Sequence, residues 1–264
     1  MNKKQKEILD KIISDKTSGS SEILTKLNKF LLSNIEDKTL IIESLSALDI
    51  RLSHFAVINN YINELNRLLA SDNNKCVIEY LRNYQQEEDL IINTIFSKIY
   101  KKLPSAKTIL TISKSGTLIN VIKLWQKKKK NLKIIITESR PANEGKLMAK
   151  ELLKCGIKVD IITDAMAGIF VPKADAVIVG ADIVLNNGNM INKTGSLALA
   201  LFCKHYKKPF YVLAAKSKFV NKKQHKISKE SSERIWKYIH PNLTTINISF
   251  EEIDKSLITE IIST

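Results

Sequence analysis

Lys133-Ile134-Ile135-Ile136-Thr137-Glu138-Ser139-Arg140-Pro141-Ala142-Asn143-Glu144-Gly145 runs from an apolar strand straight into a cluster of polar and small residues. The same change recurs downstream. Residues 158–163 end at Asp164, and Ala176-Val177-Ile178-Val179 ends at Gly180-Ala181-Asp182, with Asn192-Lys193-Thr194-Gly195 a short loop further on. Short apolar runs of this kind suit strands buried on both faces. Between them, residues 143–155 carry a helical pattern closed by Gly156, a residue suited to a helix C-terminus. Strand–helix alternation with short loops implies parallel pairing and right-handed crossovers. Ligands of such sheets bind at the carboxyl ends of the strands. The polar clusters are therefore expected to hold a small, anionic, polyhydroxylated ligand.

The pattern extends in both directions. Upstream, residues 108–111 read as a strand and 118–126 as a helix; downstream, 195–205 read as a helix and 210–214 and 245–248 as strands. Before residue 103 there is no strand series. Apolar residues at three-and-four spacing predict helices over 3–13, 21–32, 35–47, 57–70, 76–85 and 87–100. The expected class is α/β, with a helical N-terminal domain over 1–103 and a parallel-sheet domain over 104–264.

Composition narrows the function classes. The chain has 264 residues, 44% of them hydrophobic, enough for one large or two small cores. No apolar run reaches the roughly 18 residues of a membrane span. The basic N-terminus leads into a charged amphipathic pattern rather than an apolar signal core, so a cytoplasmic protein is expected. Cys76, Cys155 and Cys203 are too far apart for a metal site and odd in number, and all three are expected to be small buried residues. His54, His205, His225 and His240 lack metal-like spacing, so neither a metal nor another cofactor is expected. The net charge of +15 is nearly all lysine, with Lys127-Lys128-Lys129-Lys130 the one dense run. Nucleic-acid contact would rest on nonspecific phosphate attraction alone, because no aromatic-rich motif accompanies that run.

Three clusters can carry chemistry. In Thr111-Ile112-Ser113-Lys114-Ser115-Gly116-Thr117, hydroxyls and free N–H groups at a helix start make a phosphate site. Ser113 or Ser115 can equally be a simple helix cap. Arg140 has the planar fork that suits phosphate or carboxylate, or it is a surface arginine paired with Glu138 or Glu144. Asp182 can serve as a general base if its site raises its affinity for a proton, or it caps a turn. Asn192, Lys193 and Thr194 would add a second polar wall at another helix N-terminus.

Taken together, residues 137–145, Gly180-Ala181-Asp182 and Asn192-Lys193-Thr194-Gly195 resemble, in order and spacing, the family of the alpha, beta and delta subunits of translation initiation factor 2B. That family includes methylthioribose-1-phosphate isomerase and ribose-1,5-bisphosphate isomerase. Asp15-Lys16-Thr17-Ser18-Gly19-Ser20-Ser21-Glu22 resembles its N-terminal glycine-containing loop, and Leu257-Ile258-Thr259-Glu260 its usual ending. The resemblance implies a helical domain, a Rossmann-like domain that dimerises, and a ligand site between them. In the isomerases a cysteine after the first sheet strand works with the Asp that matches Asp182; the cysteine position is Ser113 here. A thiol titrates near 8.5, whereas a serine hydroxyl needs a neighbouring base. The leading expectation is a homodimer that binds a phosphorylated sugar or nucleotide. Ser113, Ser115 and Gly116 cradle a phosphate with help from Lys16 and Gly19, Arg140 and Glu144 line the site, and Asp182, Asn192 and Lys193 hold ring hydroxyls. The alternatives are a sugar-phosphate isomerase using Asp182 and Ser113, and a translation-associated factor that contacts a protein or RNA.

Overall fold

A computed structural model of the chain describes residues 1–15, 19–52, 56–71, 74–220 and 232–264. It has two compact units, Met1–Ile92 and Asn93–Thr264. The first holds Lys3–Ile13 (α1), Ser20–Ser33 (α2), Lys38–Leu52 (α3), Ala56–Ala70 (α4) and most of Asn74–Lys102 (α5). A capping box starts α1: Asn2 Oδ1 accepts the Gln5 N–H at 2.9 Å, and Gln5 Oε1 accepts the Asn2 N–H at 2.7 Å. Leu24, Leu27, Leu31, Leu45, Leu48 and Ile58 are fully buried in one core. A polar thread crosses this core. The Tyr61 hydroxyl donates to Asn28 Oδ1 at 2.8 Å, and Asn28 Nδ2 donates to the Leu81 carbonyl at 2.9 Å. The two helices expected over 76–85 and 87–100 are one, because Gln85-Gln86-Glu87-Glu88 at their junction contains no helix breaker.

The second unit is doubly wound. Its first sheet is built from Thr108–Thr111 (β1), Lys133–Thr137 (β2), Lys158–Ile162 (β3), Ala176–Gly180 (β4), Phe210–Leu213 (β7) and Glu260–Ile262 (β10). Every pairing is parallel, in the order β10-β7-β4-β1-β2-β3. The helices Gly116–Lys128 (α6), Glu144–Lys154 (α7), Ala167–Phe170 (α8) and Ser196–His205 (α9) alternate with these strands. Central β4 is buried at all five positions, whereas edge strand β3 exposes Lys158 and Ile161. Phe96 and Tyr100, from the end of α5, meet the buried Trp125 edge-on at 6.4 and 5.6 Å between ring centroids. The chain lays β1, β2 and β3 outward in one direction, then returns past β1 to place β4. The order therefore reverses between β1 and β4, where such folds open a ligand crevice.

A smaller sheet, in the order β8-β5-β6-β9, joins Ile183–Leu185 (β5), Met190–Lys193 (β6), Phe219–Val220 (β8) and Phe250–Ile253 (β9). The antiparallel hairpin of β5 and β6 was not evident from periodicity, and it places Asn192 and Lys193 at a strand end rather than a helix start. The strand expected over 245–248 is also displaced: the paired strands are β9 and β10. In the expected stretch the isoleucines face out, Ile246 at 63% and Ile248 at 45% exposure, while Asn247 is buried. The cysteines differ from expectation as well. Cys203 is buried, Cys76 is half-buried, and Cys155 is exposed because it lies at the C-terminal cap of α7. Among the described residues no helix is long and apolar enough to cross a membrane.

Candidate functional site

The loops after β1 and β2 and the end of β4 converge at the switch point. A Cβ on Gly180, the last residue of β4, would lie 2.4 Å from Ser115 Oγ, so the β1–α6 loop packs directly on that strand end. The same kind of approach joins β2 to its helix: a Cβ on Gly145 would lie 1.9 Å from the Thr137 carbonyl oxygen. Only glycine permits either approach. Ser113, Ser139 and Asn143 all adopt left-handed backbone, with φ of 63°, 61° and 60°. Such conformations cost on the order of 1–2 kcal/mol each in residues other than glycine. Their concentration in two neighbouring loops marks a place where geometry outweighs local stability.

Hydrogen bonds hold these conformations. The Ser113 N–H donates to Ser139 Oγ at 2.7 Å, and the Ser113 hydroxyl donates to Glu144 Oε2 at 3.0 Å. The other Glu144 oxygen pairs with Lys193 Nζ at 3.0 Å. Both side chains are largely buried, at 19% and 14% exposure, so this pair is less screened than a surface one. Lys193 Nζ also sits 4.5 Å from the Phe250 ring centroid. Asp164 clamps the β2–α7 loop from below: its carboxylate accepts the N–H groups of Ser139 at 2.9 Å and Arg140 at 2.7 Å.

The remaining expected residues divide by position. Ser115 caps α6, its Oγ accepting the Leu118 N–H at 3.3 Å, and a Cβ on Gly116 would meet nothing within 4 Å, so the start of α6 faces open space. Arg140 is exposed and has no ion pair among the described residues; Glu138 pairs instead with Lys146 at 3.0 Å. Asp182 is half-buried directly beyond β4, and its N–H donates to the Ile191 carbonyl at 3.0 Å, which ties it to β6. Asn192 is buried, with its amide nitrogen on Ser196 Oγ at 2.9 Å. The start of α9 already holds an internal anion: Glu251 Oε1 accepts the N–H groups of Gly195 and Leu197, each at 2.8 Å. In the helical unit, Gly19 precedes α2, and its carbonyl accepts from Glu22 and Ile23 at 3.0 Å. Lys16, and His54 and His225 among the histidines, lie outside the described residues.

One residue that sequence reasoning missed belongs with this group. Lys218 is a buried lysine, 6% exposed, and its ammonium donates to the Ala181 carbonyl beside Asp182. The available signal was its place beyond β7, at the same sheet edge as the other clusters. A cavity of about 260 Å³ adjoins the group, with Ile112, Thr137, Asp164, Gly195, Leu199 and Phe202 among its walls. Its lining is apolar apart from Asp164 and Thr137, and Thr137 Oγ1 is buried with no hydrogen-bond partner among the described residues.

A doubly wound parallel sheet with polar loops gathered at its switch point defines a Rossmann-like α/β protein. This chain belongs to the initiation factor 2 subunit family, whose model matches residues 5–264. It is 30% identical over 220 residues to an eIF-2B subunit 2-like protein of Pyrococcus abyssi, covering 81% of this chain and 78% of that one. It is 38% identical over 119 residues to the ribose 1,5-bisphosphate isomerase of Archaeoglobus fulgidus, covering 45% of this chain but only 38% of the enzyme. The match to the Pyrococcus horikoshii eIF-2B subunit 2-like protein likewise spans less than half of that protein, 40% of its length. Among solved structures, that of the Pyrococcus horikoshii OT3 translation initiation factor eIF-2B superposes with a TM-score of 0.81 at 25% identity, covering 99% of this chain and 95% of the other. The fold also matches the tetrameric eIF2B-beta2-delta2 complex from C. thermophilum, with a TM-score of 0.76 at 14% identity, covering 99% and 91%.

Proposed function

We propose that this chain binds a phosphorylated sugar or nucleotide at the carboxyl edge of its parallel sheet. The observation that carries the reading is the convergence at the switch point, with Ser115 packed on Gly180 and Ser113 tied to Ser139 and Glu144. The donors and acceptors are segregated. Ser113 commits both its N–H and its hydroxyl hydrogen inside the protein, so it offers a ligand only acceptor lone pairs. A phosphate needs donors, and those lie at Ser115 Oγ, the N–H groups at the start of α6 and the guanidinium of Arg140, which has no ion pair among the described residues. Ring hydroxyls fit the acceptors: Ser113 Oγ, Asp182 and the Asn192 carbonyl oxygen. Lys193 and Lys218 supply buried positive charge beside them. The apolar cavity extends the ligand class to phosphates that carry an apolar substituent. A homodimeric state and a cytoplasmic location fit the translation-factor relatives and form part of the same reading.

The decisive experiment is a thermal-shift panel of ribose 1,5-bisphosphate, methylthioribose 1-phosphate, other pentose and hexose phosphates and nucleoside monophosphates. The expected result is stabilisation by one of these classes and none by its dephosphorylated counterpart. Failure of every phosphate to stabilise the protein would transfer the function to a protein or RNA partner.

A second reading, aldose–ketose isomerisation, is favoured by a specific observation. The Ser113 hydroxyl is not isolated: it is hydrogen-bonded to a carboxylate, which is what a serine needs to take part in proton transfer. This reading places Asp182 across the ligand as the second proton-transfer group. Asp182→Asn is expected to keep ligand binding and abolish conversion.

A further inference from the structure

We infer that Glu144 acts through Ser113 as a two-step proton relay that removes a hydroxyl proton from the bound sugar. This rests on the isomerase reading above and assigns the acid–base role that the position of Ser113 leaves open. Three distances carry it. The Ser113 hydroxyl points at Glu144 Oε2, 3.0 Å away. Lys193 Nζ holds Oε1 at 3.0 Å, which fixes the carboxylate beside the Ser113 hydroxyl. The Ser113 N–H, bonded to Ser139 Oγ at 2.7 Å, prevents the left-handed loop from relaxing and turning the hydroxyl away.

The polarity of these bonds sets the direction of the relay. With its own hydrogen on Glu144, Ser113 Oγ can only accept, so the substrate group it meets must be a donor. In aldose–ketose conversion that group is the C2 hydroxyl of the enol formed across C1 and C2. Its O–H bond breaks, and the electron pair becomes the second bond of the C2 carbonyl. The former C1–C2 double-bond pair takes up the proton that Asp182 removed from C2, forming a new C1–H bond. The C2 hydroxyl proton passes to Ser113 Oγ while the original Ser113 proton passes to Glu144 Oε2. The enol itself forms as Asp182 takes the C2 proton and the C2–H electron pair displaces the ring oxygen O4 from C1, O4 taking a proton from water. Glu144 ends protonated and returns that proton to the solvent, Ser113 ends unchanged, and no oxidant or metal enters the balance.

The test uses the full-length chain with ribose 1,5-bisphosphate as the probe. Binding is measured by calorimetry and conversion to the ketose in deuterated and ordinary water. The variants are Ser113→Ala, Glu144→Gln, Glu144→Asp and the double variant S113A/E144Q. General acid–base groups typically contribute about 100-fold to 10,000-fold. The expected result is a fall in kcat of at least about 100-fold in S113A and E144Q, well beyond any loss in KM or the binding constant. The double variant is expected to be no slower than either single one, Glu144→Asp to recover part of the rate, and the solvent isotope effect to shrink in E144Q. Unchanged kcat in E144Q overturns the relay, as does an equal loss of binding and turnover, which marks a merely structural clamp. Binding by the wild type without conversion also overturns the relay but leaves the binding function standing. Absence of binding overturns both.

Discussion

Ser113, Tyr61 and Cys203 show how far one side chain can be read. Tyr61 lies in the helical core, and burial pushes its hydroxyl well above the ordinary tyrosine range. Tyr61→Phe keeps the ring contacts with Tyr80 and Tyr84, whose centroids lie 5.6 and 5.3 Å away, but removes the donor to Asn28. The expected loss is about 1–3 kcal/mol, read from urea unfolding. The cysteines separate cleanly. Burial pushes the Cys203 thiol up to about 12, whereas Cys155 is exposed. A maleimide should therefore label Cys155 and spare Cys203 in the native protein, with ligand binding intact, because no cysteine lies in the site loops; peptide mapping after labelling checks this. Arg140→Ala should weaken binding of an anionic ligand by roughly tenfold, about the worth of a charge-assisted hydrogen bond, measured by calorimetry. At this scale the sequence revealed which residues sit at strand ends, but not whom they face. The Ser113–Glu144 bond depends on a left-handed serine, and no spacing rule anticipates that conformation. Lys218 escaped notice because a lysine in a lysine-rich chain looks like solvent-exposed charge until its burial is known.

Elements were legible wherever one period dominated. The β1, β2, β3, β4 and β7 runs and the helices between them announce a parallel sheet, because a strand covered on both faces must be apolar throughout. The hairpin of β5 and β6 was hidden: three- and four-residue strands pair antiparallel beside a parallel sheet without a long alternating run. β10 was hidden because the apolar residues of 245–248 drew attention to the wrong stretch. The close approach of β4 to the β1–α6 loop yields a test at this scale. Gly180→Ala places a Cβ 2.4 Å from Ser115 Oγ and 2.8 Å from its Cβ, so the cap of α6 must move. The variant should remain folded, because overpacking of this size costs about 1–3 kcal/mol. Its affinity for the phosphate of a ligand should fall about tenfold, near the loss of one charge-assisted hydrogen bond, while affinity for an uncharged sugar fragment is unchanged. Equal affinities for the phosphate in variant and wild type would detach the α6 start from the site.

At the scale of the molecule, alkaline pH should act on the helical unit first. Burial raises Tyr61 and Tyr84, and it pushes Tyr80 up to about 12, so all three keep their protons in the folded state. Unfolded tyrosines titrate near 10. Below about pH 10 both states are protonated and these groups add no pH dependence; above it only the unfolded state loses protons and is favoured. Helical circular dichroism melts between pH 8 and 11 should be flat and then fall, with a shallower fall in Tyr61→Phe. The net charge of +15 should raise the association rate of anionic ligands at low salt and lose that advantage above about 0.15 M, where the Debye length is near 8 Å.

The smaller sheet has a consequence for synthesis. Glu251, which holds the start of α9, lies 54 and 56 residues after the N–H groups it binds, and β9 pairs with β6, the strand that carries Lys193. A nascent chain that has emerged only as far as β7 has every loop of the switch point but lacks β9, the second partner of β6, and the anion for α9. Ligand recognition should therefore switch on abruptly, late in translation, when residues 250–253 clear the ribosome. The protein would then be blind to the proposed ligand for most of its own making.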